Sequence, residues 1–172
     1  MTEGIRLRPV TELDLDALDA MFADPALIGE FNWNGYSDSS QWRRRFRENG
    51  LLTEDKSVLM IDADLSPVGF VSWNRVQTGA TVYVYQFGIS LLPAARGRGL
   101  GSAAQLMLAR YLFAHSPVNR IQATTEAGNI AEQRSLEKAG FAREAVLKEH
   151  VFRDGEWRDE VLYRMLRSEL PA

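Results

Sequence analysis

The sequence has 172 residues, of which 45% are apolar and 25% charged, and its 20 basic and 23 acidic side chains give a formal net charge of −3. A chain of this length buries roughly 70% of its extended surface on folding, so it needs no disulfide or metal to stabilise it. Cysteine is absent, and only two histidines occur, His115 and His150. These counts exclude thiolate zinc sites, iron–sulfur clusters and a cysteine nucleophile, and they disfavour a histidine-only metal centre.

The charge and hydropathy pattern favours a cytoplasmic protein that binds neither nucleic acid nor membranes. The charge balance is mildly acidic, whereas bulk attraction to nucleic acid or to an anionic membrane requires an excess of basic residues. No apolar run approaches the roughly 18 to 20 residues of a membrane span, and the first ten residues lack the apolar core of a signal peptide. Because no linker or repeat divides the chain, residues 1–172 are predicted to form a single domain.

The first half of the chain is predicted to contain a strand, two helices and three further strands. Residues 5–10 alternate like a strand, Thr11-x-x-Asp14 resembles a capping box, and Pro25 should end the helix that follows. The stretch after this helix is aromatic but rich in turn formers, which indicates a loop, and Ser40 is expected to cap a short helix. Three apolar runs then predict an antiparallel meander, and they cover residues 57–62, 68–75 and 82–91.

The second half is predicted to alternate helices and strands before a closing hairpin. From Leu100 to Leu112 apolar residues recur at i, i+3, i+4 and i+7, the strongest helical pattern in the chain. A short strand, a helix closed by Gly140 and two strands joined by Asp154-Gly155 follow. This order predicts a mixed sheet covered by helices on its faces.

The segment over residues 92–102 carries the strongest chemical signal. It joins a predicted strand to the long helix and contains three glycines within five residues. Glycines let main-chain N–H groups approach a ligand closely, and the free N–H groups at a helix start attract anions. Arg96 and Arg98 add positive charge, so the segment is predicted to bind a phosphate or a pyrophosphate.

Three phosphate-binding patterns compete for this segment. A dinucleotide fingerprint requires glycine where Ser102 stands and an acidic residue at the end of the next strand, where Thr125 stands, so an NAD-dependent oxidoreductase is a weak alternative. A nucleotide P-loop requires a Gly-Lys pair, and the segment contains no lysine. The third pattern is satisfied by Arg96-x-x-Gly99-x-Gly101, which resembles the acetyl-CoA signature of the GNAT superfamily of N-acetyltransferases.

The resemblance to this superfamily extends over residues 5–166, where the order of predicted elements matches. Residues 89–93 resemble the end of the family's fourth strand. Asn129, residues 137–141 and the closing strand with Trp157 resemble the Rim-type branch, whose members acetylate ribosomal-protein amino termini, along with antibiotic and other small-amine acetyltransferases.

The resemblance implies an α/β (α+β) fold with a mixed, mostly antiparallel seven-stranded sheet, flanked by helices and splayed between strands 4 and 5. The main chain of Ile89 and Leu91 would pair with the pantetheine arm of acetyl-CoA, the co-substrate, and Asn129 would belong to the same site. The pyrophosphate would lie on the glycine-rich segment, for which the predicted cofactor-binding residues are Arg96, Gly97, Arg98, Gly99, Leu100, Gly101 and Ser102.

The reaction implied is direct attack of an amine on the thioester, with a general acid that protonates the leaving thiolate. Rim-type enzymes often carry serine three residues after the asparagine, whereas this chain has Glu132, which is interpreted as an acid, a partner of the substrate ammonium or a solvated helix residue. Residues 82–88 offer no Glu, Asp or His as an evident base. An α-amino group with a pKa of about 8 loses its proton more easily than a lysine near 10.4, by about 3 kcal/mol, so a peptide or protein amino terminus is the favoured acceptor.

Four aromatic residues, Trp33, Tyr36, Trp73 and Tyr85, are the candidate acceptor-binding residues, because they could form a wall for an ammonium group. Trp73 and Tyr85 fit ordinary core positions equally well. A small-molecule or antibiotic acetyltransferase remains an alternative. A second alternative is a non-catalytic acyl-CoA-binding module, suggested by the missing serine and base. No metal ion is expected, and a homodimer is left open.

Overall fold

The computed structural model describes residues 4–38 and 40–171, so the end residues of the predicted domain, 1 and 172, lie outside the described part. Within it, seven strands and four of the five α-helices follow the predicted order, and the short helix α2 is an addition that the sequence did not predict. The strands are β1 (Ile5–Pro9), β2 (Lys56–Ala63), β3 (Ser66–Gln77), β4 (Tyr83–Leu91), β5 (Arg120–Glu126), β6 (Ala142–Arg153) and β7 (Glu156–Leu166). The helices are α1 (Leu15–Ala23), α2 (Pro25–Ile28), α3 (Ser40–Asn49), α4 (Leu100–His115) and α5 (Ile130–Lys138).

The seven strands form one sheet in the order β1-β2-β3-β4-β5-β7-β6. Every neighbouring pair is antiparallel except β4 and β5, which run parallel and pair over two residues only, Tyr85 with Ile121 and Gln86 with Gln122. Beyond these residues the two strands separate toward their carboxyl ends. The mixed, mostly antiparallel sheet that the sequence predicted, splayed between strands 4 and 5, is therefore confirmed.

The two faces of the sheet carry separate hydrophobic clusters because strand side chains alternate between faces. On the α4 face, β3 contributes Val71 and Trp73 to a cluster with Leu108 of α4 and Leu136 of α5. On the α1–α3 face, Phe70 packs with side chains of the first three helices. The position of a side chain along a strand thus decides on which face of the sheet it lies.

The three predicted meander strands agree with β2, β3 and β4 to within two residues at each end. Pro25 ends α1 as predicted and begins the short helix α2, and Gly140 follows α5 with φ +96°, a conformation that glycine adopts without strain. The predicted cap of α3 differs, because Ser40 is the first residue of that helix. Its N–H and its hydroxyl both donate to the carboxylate of Asp38, at 2.9 and 2.7 Å.

Candidate functional site

The separation of β4 and β5 leaves an opening whose walls are main-chain groups. The N–H of Leu92 donates to the carbonyl of Val68 on the β3 side, and alternation along an antiparallel strand then directs the main-chain groups of Ile89 and Leu91 toward the opening. Consistent with this, the Ile89 carbonyl accepts a hydrogen bond from Asn32 at 3.3 Å rather than from β3. The two residues predicted to pair with an extended ligand therefore line the opening.

The glycine-rich segment over residues 92–102 forms a turn, here called the glycine turn, that leads from β4 into the first turn of α4. Gly99 is the N-cap of α4 and has φ +79°, a left-handed conformation that strains residues with a side chain. A Cβ atom at Gly101 would lie 3.1 Å from the hydroxyl of Ser135, so this position also requires a small residue. The turn therefore presents the first N–H groups of α4 at the carboxyl end of β4, an arrangement suited to an anion.

Three side chains of the turn, those of Arg96, Leu100 and Ser102, make contacts that hold it in place. The guanidinium of Arg96 donates to the carbonyls of Leu91, at 2.9 Å, and of Leu27, at 2.6 Å, so it ties the turn to β4 and α2 and does not add its charge at the helix start as the sequence suggested. The Ser102 hydroxyl donates to the carbonyl of Gly99 at 3.0 Å. Leu100 is buried against Ala95.

Two exposed cations remain near the turn, and only one of them was predicted. Arg98 is exposed within the turn itself, next to the exposed Gly97. Lys138, at the end of α5, places its Nζ atom 3.7 Å from the point where a Cβ of Gly99 would lie. The sequence showed Lys138 only as part of a motif, since nothing in the spacing indicated that the last turn of α5 meets the first turn of α4.

Glu132 of α5 belongs to a polar network with Gln105, which lies one helical turn after Gly101 on α4. Gln105, which is fully buried on α4, donates through Nε2 to the Glu132 carboxylate at 2.6 Å and accepts a hydrogen bond from Ser135 at 3.1 Å. Burial raises the pKa of Glu132 to about 7, although the hydrogen bond from Gln105 opposes the shift. Near neutral pH this carboxyl group is therefore able both to hold and to release a proton.

Asn129 fixes the first turn of α5, which carries Glu132. Its side-chain oxygen accepts the N–H of Glu132 at 3.3 Å, and its amide nitrogen donates to the hydroxyl of Thr125 on β5 at 3.0 Å. The asparagine thus acts as an N-cap and as a link to β5. Sequence reasoning assigned it to the cofactor site, and the structure places it at the β5 wall of the opening.

Residues 29–38, here called the 29–38 loop, cross the opening on the α1–α3 face. Trp33 and Tyr36 of this loop stack edge to face with ring centroids 5.2 Å apart, and Tyr36 is 89% exposed. A cavity of about 170 Å³, here called the Gly88 cavity, lies beneath the loop. It is lined by uncharged residues of the loop, of α1 and α2 and of two strands: Phe22, Ile28, Asn32, Phe70, Ser72, Gly88, Ile89 and Ser90.

The other two predicted acceptor residues lie elsewhere, which corrects the expectation of a single aromatic wall. Trp73 and Tyr85 are each only 6% exposed and belong to the cluster on the α4 face. They line a separate cavity of about 460 Å³ beside His115 at the last turn of α4. Since α4 has 16 residues and is therefore about 24 Å long, this cavity lies at the opposite end of that helix from the glycine turn.

Sequence reasoning missed a buried ion pair at the carboxyl end of β5. Arg153 of β6 donates from Nε and Nη2 to the two carboxylate oxygens of Glu126, at 2.6 and 2.8 Å, and both side chains are more than nine-tenths buried. Its remaining nitrogen, Nη1, donates to the carbonyl of Glu30 in the 29–38 loop. No local pattern could have revealed this contact, because Glu30 and Arg153 are 123 residues apart in the chain.

In the described part of the chain, no helix combines the length and the apolar character that crossing a membrane would require. Over the same residues, no group of three or more His, Asp or Glu side chains is arranged to hold a metal ion.

Comparisons with known proteins agree on one family. Residues 5–142 match the family model described as an acetyltransferase (GNAT) domain. The chain is 31% identical over 87 residues to the uncharacterized N-acetyltransferase YnaD of Bacillus subtilis (strain 168), a match that covers 51% of each protein. It is 30% identical over 95 residues to the ribosomal protein uS5-alanine N-acetyltransferase of Escherichia coli (strain K12), which covers 55% of this chain and 48% of that enzyme. The matched part thus spans about half the length of both relatives.

A solved structure resembles the whole fold. The spermidine N-acetyltransferase of Vibrio cholerae, in complex with CoA and spermine, superimposes with a TM-score of 0.84 at 17% identity, covering 97% of this chain and 98% of that one. At this level of identity the likeness concerns the fold.

Proposed function

The chain belongs to the acetyltransferase (GNAT) family and is thus an acyltransferase, and on that premise we propose that it transfers an acetyl group from acetyl-CoA directly to the primary amine of a peptide or protein amino terminus. The observation that carries this proposal is the opening between β4 and β5. On the α4 face it is bounded by a helix start whose geometry suits an anion, and on the α1–α3 face by a cavity lined with uncharged residues, and both reach the same strand.

The glycine turn supplies the cofactor half of the proposed site. In our proposal the N–H groups from Arg96 to Ser102 bind the pyrophosphate, with Arg98 and Lys138 adding charge. The main chain of Ile89 and Leu91 pairs with the pantetheine arm, and the thioester is thereby directed toward Gly88. Metal and thiol chemistry are not needed, because the acyl group arrives already activated as a thioester.

The acceptor half is suited to an amine that needs little help to lose its proton. None of the eight residues that line the Gly88 cavity is charged, so the cavity itself contains no strong base. An α-amino group is about one-tenth neutral at pH 7, and a lysine side chain is far less so. The named activity of the E. coli relative, on an alanine of ribosomal protein uS5, supports an acceptor of this kind.

Glu132 is the proposed general acid. Its carboxyl group lies at the first turn of α5, and burial keeps it partly protonated at neutral pH, so it holds a proton for the departing thiolate. Gln105 and Asn129 position the carboxyl group and are not proposed to exchange protons themselves.

The decisive experiment is a thiol-release assay with acetyl-CoA and a panel of acceptors. We expect turnover with peptides that have a free amino terminus, none with the same peptides blocked by acetylation, and a kcat/KM about 10-fold or more lower with spermidine. Mass spectrometry should place the new acetyl group on the α-amine. A preference for spermidine would instead indicate a small-amine acetyltransferase, and CoA binding without turnover on any acceptor would indicate a non-catalytic module.

A further inference from the structure

The 29–38 loop is held at two points, one on each wall of the β4–β5 opening. On the β4 side, the amide of Asn32 donates to the Ile89 carbonyl at 3.3 Å. On the β5 side, the Glu30 carbonyl accepts a hydrogen bond from Arg153, whose guanidinium also lies 5.2 Å from the ring of Phe31. The loop therefore spans strands that are not paired to each other at this level of the sheet.

Arg153 is fully engaged by these contacts. Two of its nitrogens meet the two oxygens of Glu126, and the third holds the loop carbonyl. The fork geometry of a guanidinium makes this possible, because paired donors fix its plane and leave one nitrogen directed outward. A lysine ammonium could neutralise Glu126, but it could not hold both carboxylate oxygens and the Glu30 carbonyl in the same arrangement.

Burial of this ion pair calls for a reason other than stability. Removing two charges from water costs several kcal/mol, and a buried ion pair is often no more stabilising than apolar residues of the same size. What the pair does provide is a defined position for the carbonyl of Glu30 relative to β5. That position fixes the loop segment with Asn32, which lines the Gly88 cavity, and with Trp33.

We propose that Arg153 is a positioning residue, which holds the 29–38 loop over the opening through the Glu30 carbonyl and thereby sets the affinity for the acceptor amine but not for acetyl-CoA. This inference rests on the proposed function for the identity of the acceptor. The glycine turn, which would bind the pyrophosphate of the cofactor, has no hydrogen bond to Arg153 or Glu126 among the described residues. A substitution of Arg153 should therefore change the affinity for the acceptor amine and leave the affinity for acetyl-CoA unchanged.

The test compares Arg153→Lys with Arg158→Met. Arg153→Lys keeps a cation beside Glu126 and loses the contact with Glu30. Arg158→Met is the matched control, since the Arg158 guanidinium approaches Glu126 to 4.0 Å, pairs with the exposed Glu156 and has no hydrogen bond to the 29–38 loop among the described residues. For Arg153→Lys we expect the KM for a peptide acceptor to rise about 10-fold or more while the KM for acetyl-CoA stays within about twofold. For Arg158→Met both constants should stay within about twofold.

Hydrogen exchange provides a second measurement that does not depend on activity. The N–H groups of Asn32 and Trp33 both donate to the Gly29 carbonyl inside the loop, at 3.0 and 3.1 Å. Their exchange should accelerate about 10-fold in Arg153→Lys, while that of the α4 amides remains unchanged. If Arg153→Lys is too unstable to assay, the double variant Arg153→Met with Glu126→Gln leaves no unpaired buried charge and should show the same changes.

Two results would overturn the inference: an unchanged acceptor KM together with unchanged loop exchange, or an equal rise in both KM values. If the wild-type protein acetylates no acceptor, the proposed function fails and the assigned effect on acceptor affinity fails with it. Loop exchange in the same variants would then still decide whether Arg153 holds the loop.

Discussion

On the α4 side of the β4–β5 opening the turn presents main-chain N–H groups, with the exposed side chains of Arg98 and Lys138 beside them, whereas on the α1–α3 side the lining groups are mostly side chains. The glycine turn uses its own side chains internally, as in the bonds of Arg96 to Leu91 and of Ser102 to Gly99. The 29–38 loop depends on side chains from distant elements, Arg153 above all. Substitutions in the glycine turn should therefore act through backbone conformation, and substitutions around the 29–38 loop through lost side-chain contacts.

The largest effect is expected at the glycine turn. Gly99→Val forces a β-branched residue into φ +79° at the N-cap of α4 and so displaces the N–H groups that would bind pyrophosphate. We expect CoA affinity, measured by titration calorimetry, to fall about 100-fold or more. NAD should give no thermal stabilisation of the wild-type protein, while acetyl-CoA should raise its unfolding temperature.

The matched control for this substitution is Gly155→Val. Gly155 has φ +81° and no atom near its missing side chain, so it shares the backbone strain but lies in the β6–β7 turn. The affinity of the Gly155→Val variant for CoA should stay within about twofold of that of the wild type. Equal losses in the two variants would mean that general strain, and not the turn, governs binding.

The next effect concerns Glu132, which lies on α5 beside Gln105 of α4. Glu132→Gln removes the proposed proton donor and should lower kcat about 100-fold at pH 7. Because the donor must be protonated and its pKa is raised to about 7, wild-type kcat should fall as pH rises above 7, and the variant should lose this limb of the profile. Glu137→Gln, an exposed carboxylate on the same helix, is the control and should keep the wild-type profile.

The same carboxyl group links stability to pH. Its pKa in the folded protein lies above the usual value of 4.5, so the folded state binds the proton more tightly than the unfolded state does. The free energy of unfolding should therefore decrease as pH rises from about 4.5 to about 7 and then level off. Glu132→Gln should be more stable than wild type by about 3 kcal/mol at pH 8 and should show no such gain at pH 4. Denaturant titrations at both pH values would measure this, and a gain at pH 4 would contradict it.

The smallest effect is expected on the acceptor side. Trp33→Ala removes a half-buried ring of the 29–38 loop together with its edge contact to Tyr36. The KM for a peptide acceptor should rise about fivefold with little change in the KM for acetyl-CoA. Trp157→Ala, which removes a ring that is 62% exposed on the β6–β7 hairpin, should change neither constant. A larger rise of the acceptor KM in Trp157→Ala than in Trp33→Ala would instead indicate that the acceptor binds at that hairpin.

The same contrast explains what the sequence could predict. The glycine turn is contiguous, so its spacing, its position between a strand and a helix and its need for left-handed residues were all visible in one short segment. Helix and strand order followed from periodicity, and the splay of the sheet followed from the family resemblance. These features depend on neighbours in the chain.

The remaining features depend on contacts that a single sequence does not reveal. The alternation of β3 places Trp73 on the same face as Val71, but only packing decides that this face meets α4 and not the 29–38 loop. The raised pKa of Glu132 requires burial beside Gln105, which is 27 residues away. The hold of Arg153 on Glu30 has no local signature at all.

The two-residue pairing of β4 with β5 has a mechanical consequence. Along the sheet, strands β1 to β4 form one block and β5, β7 and β6 form another, and the ladder that joins the blocks is shorter than any other in the sheet. An extended molecule placed between the blocks would bond to their edges much as an additional strand does. In the proposed complex acetyl-CoA would therefore extend the sheet for as long as it is bound. In each turnover CoA would leave this position and a new molecule of acetyl-CoA would bind there.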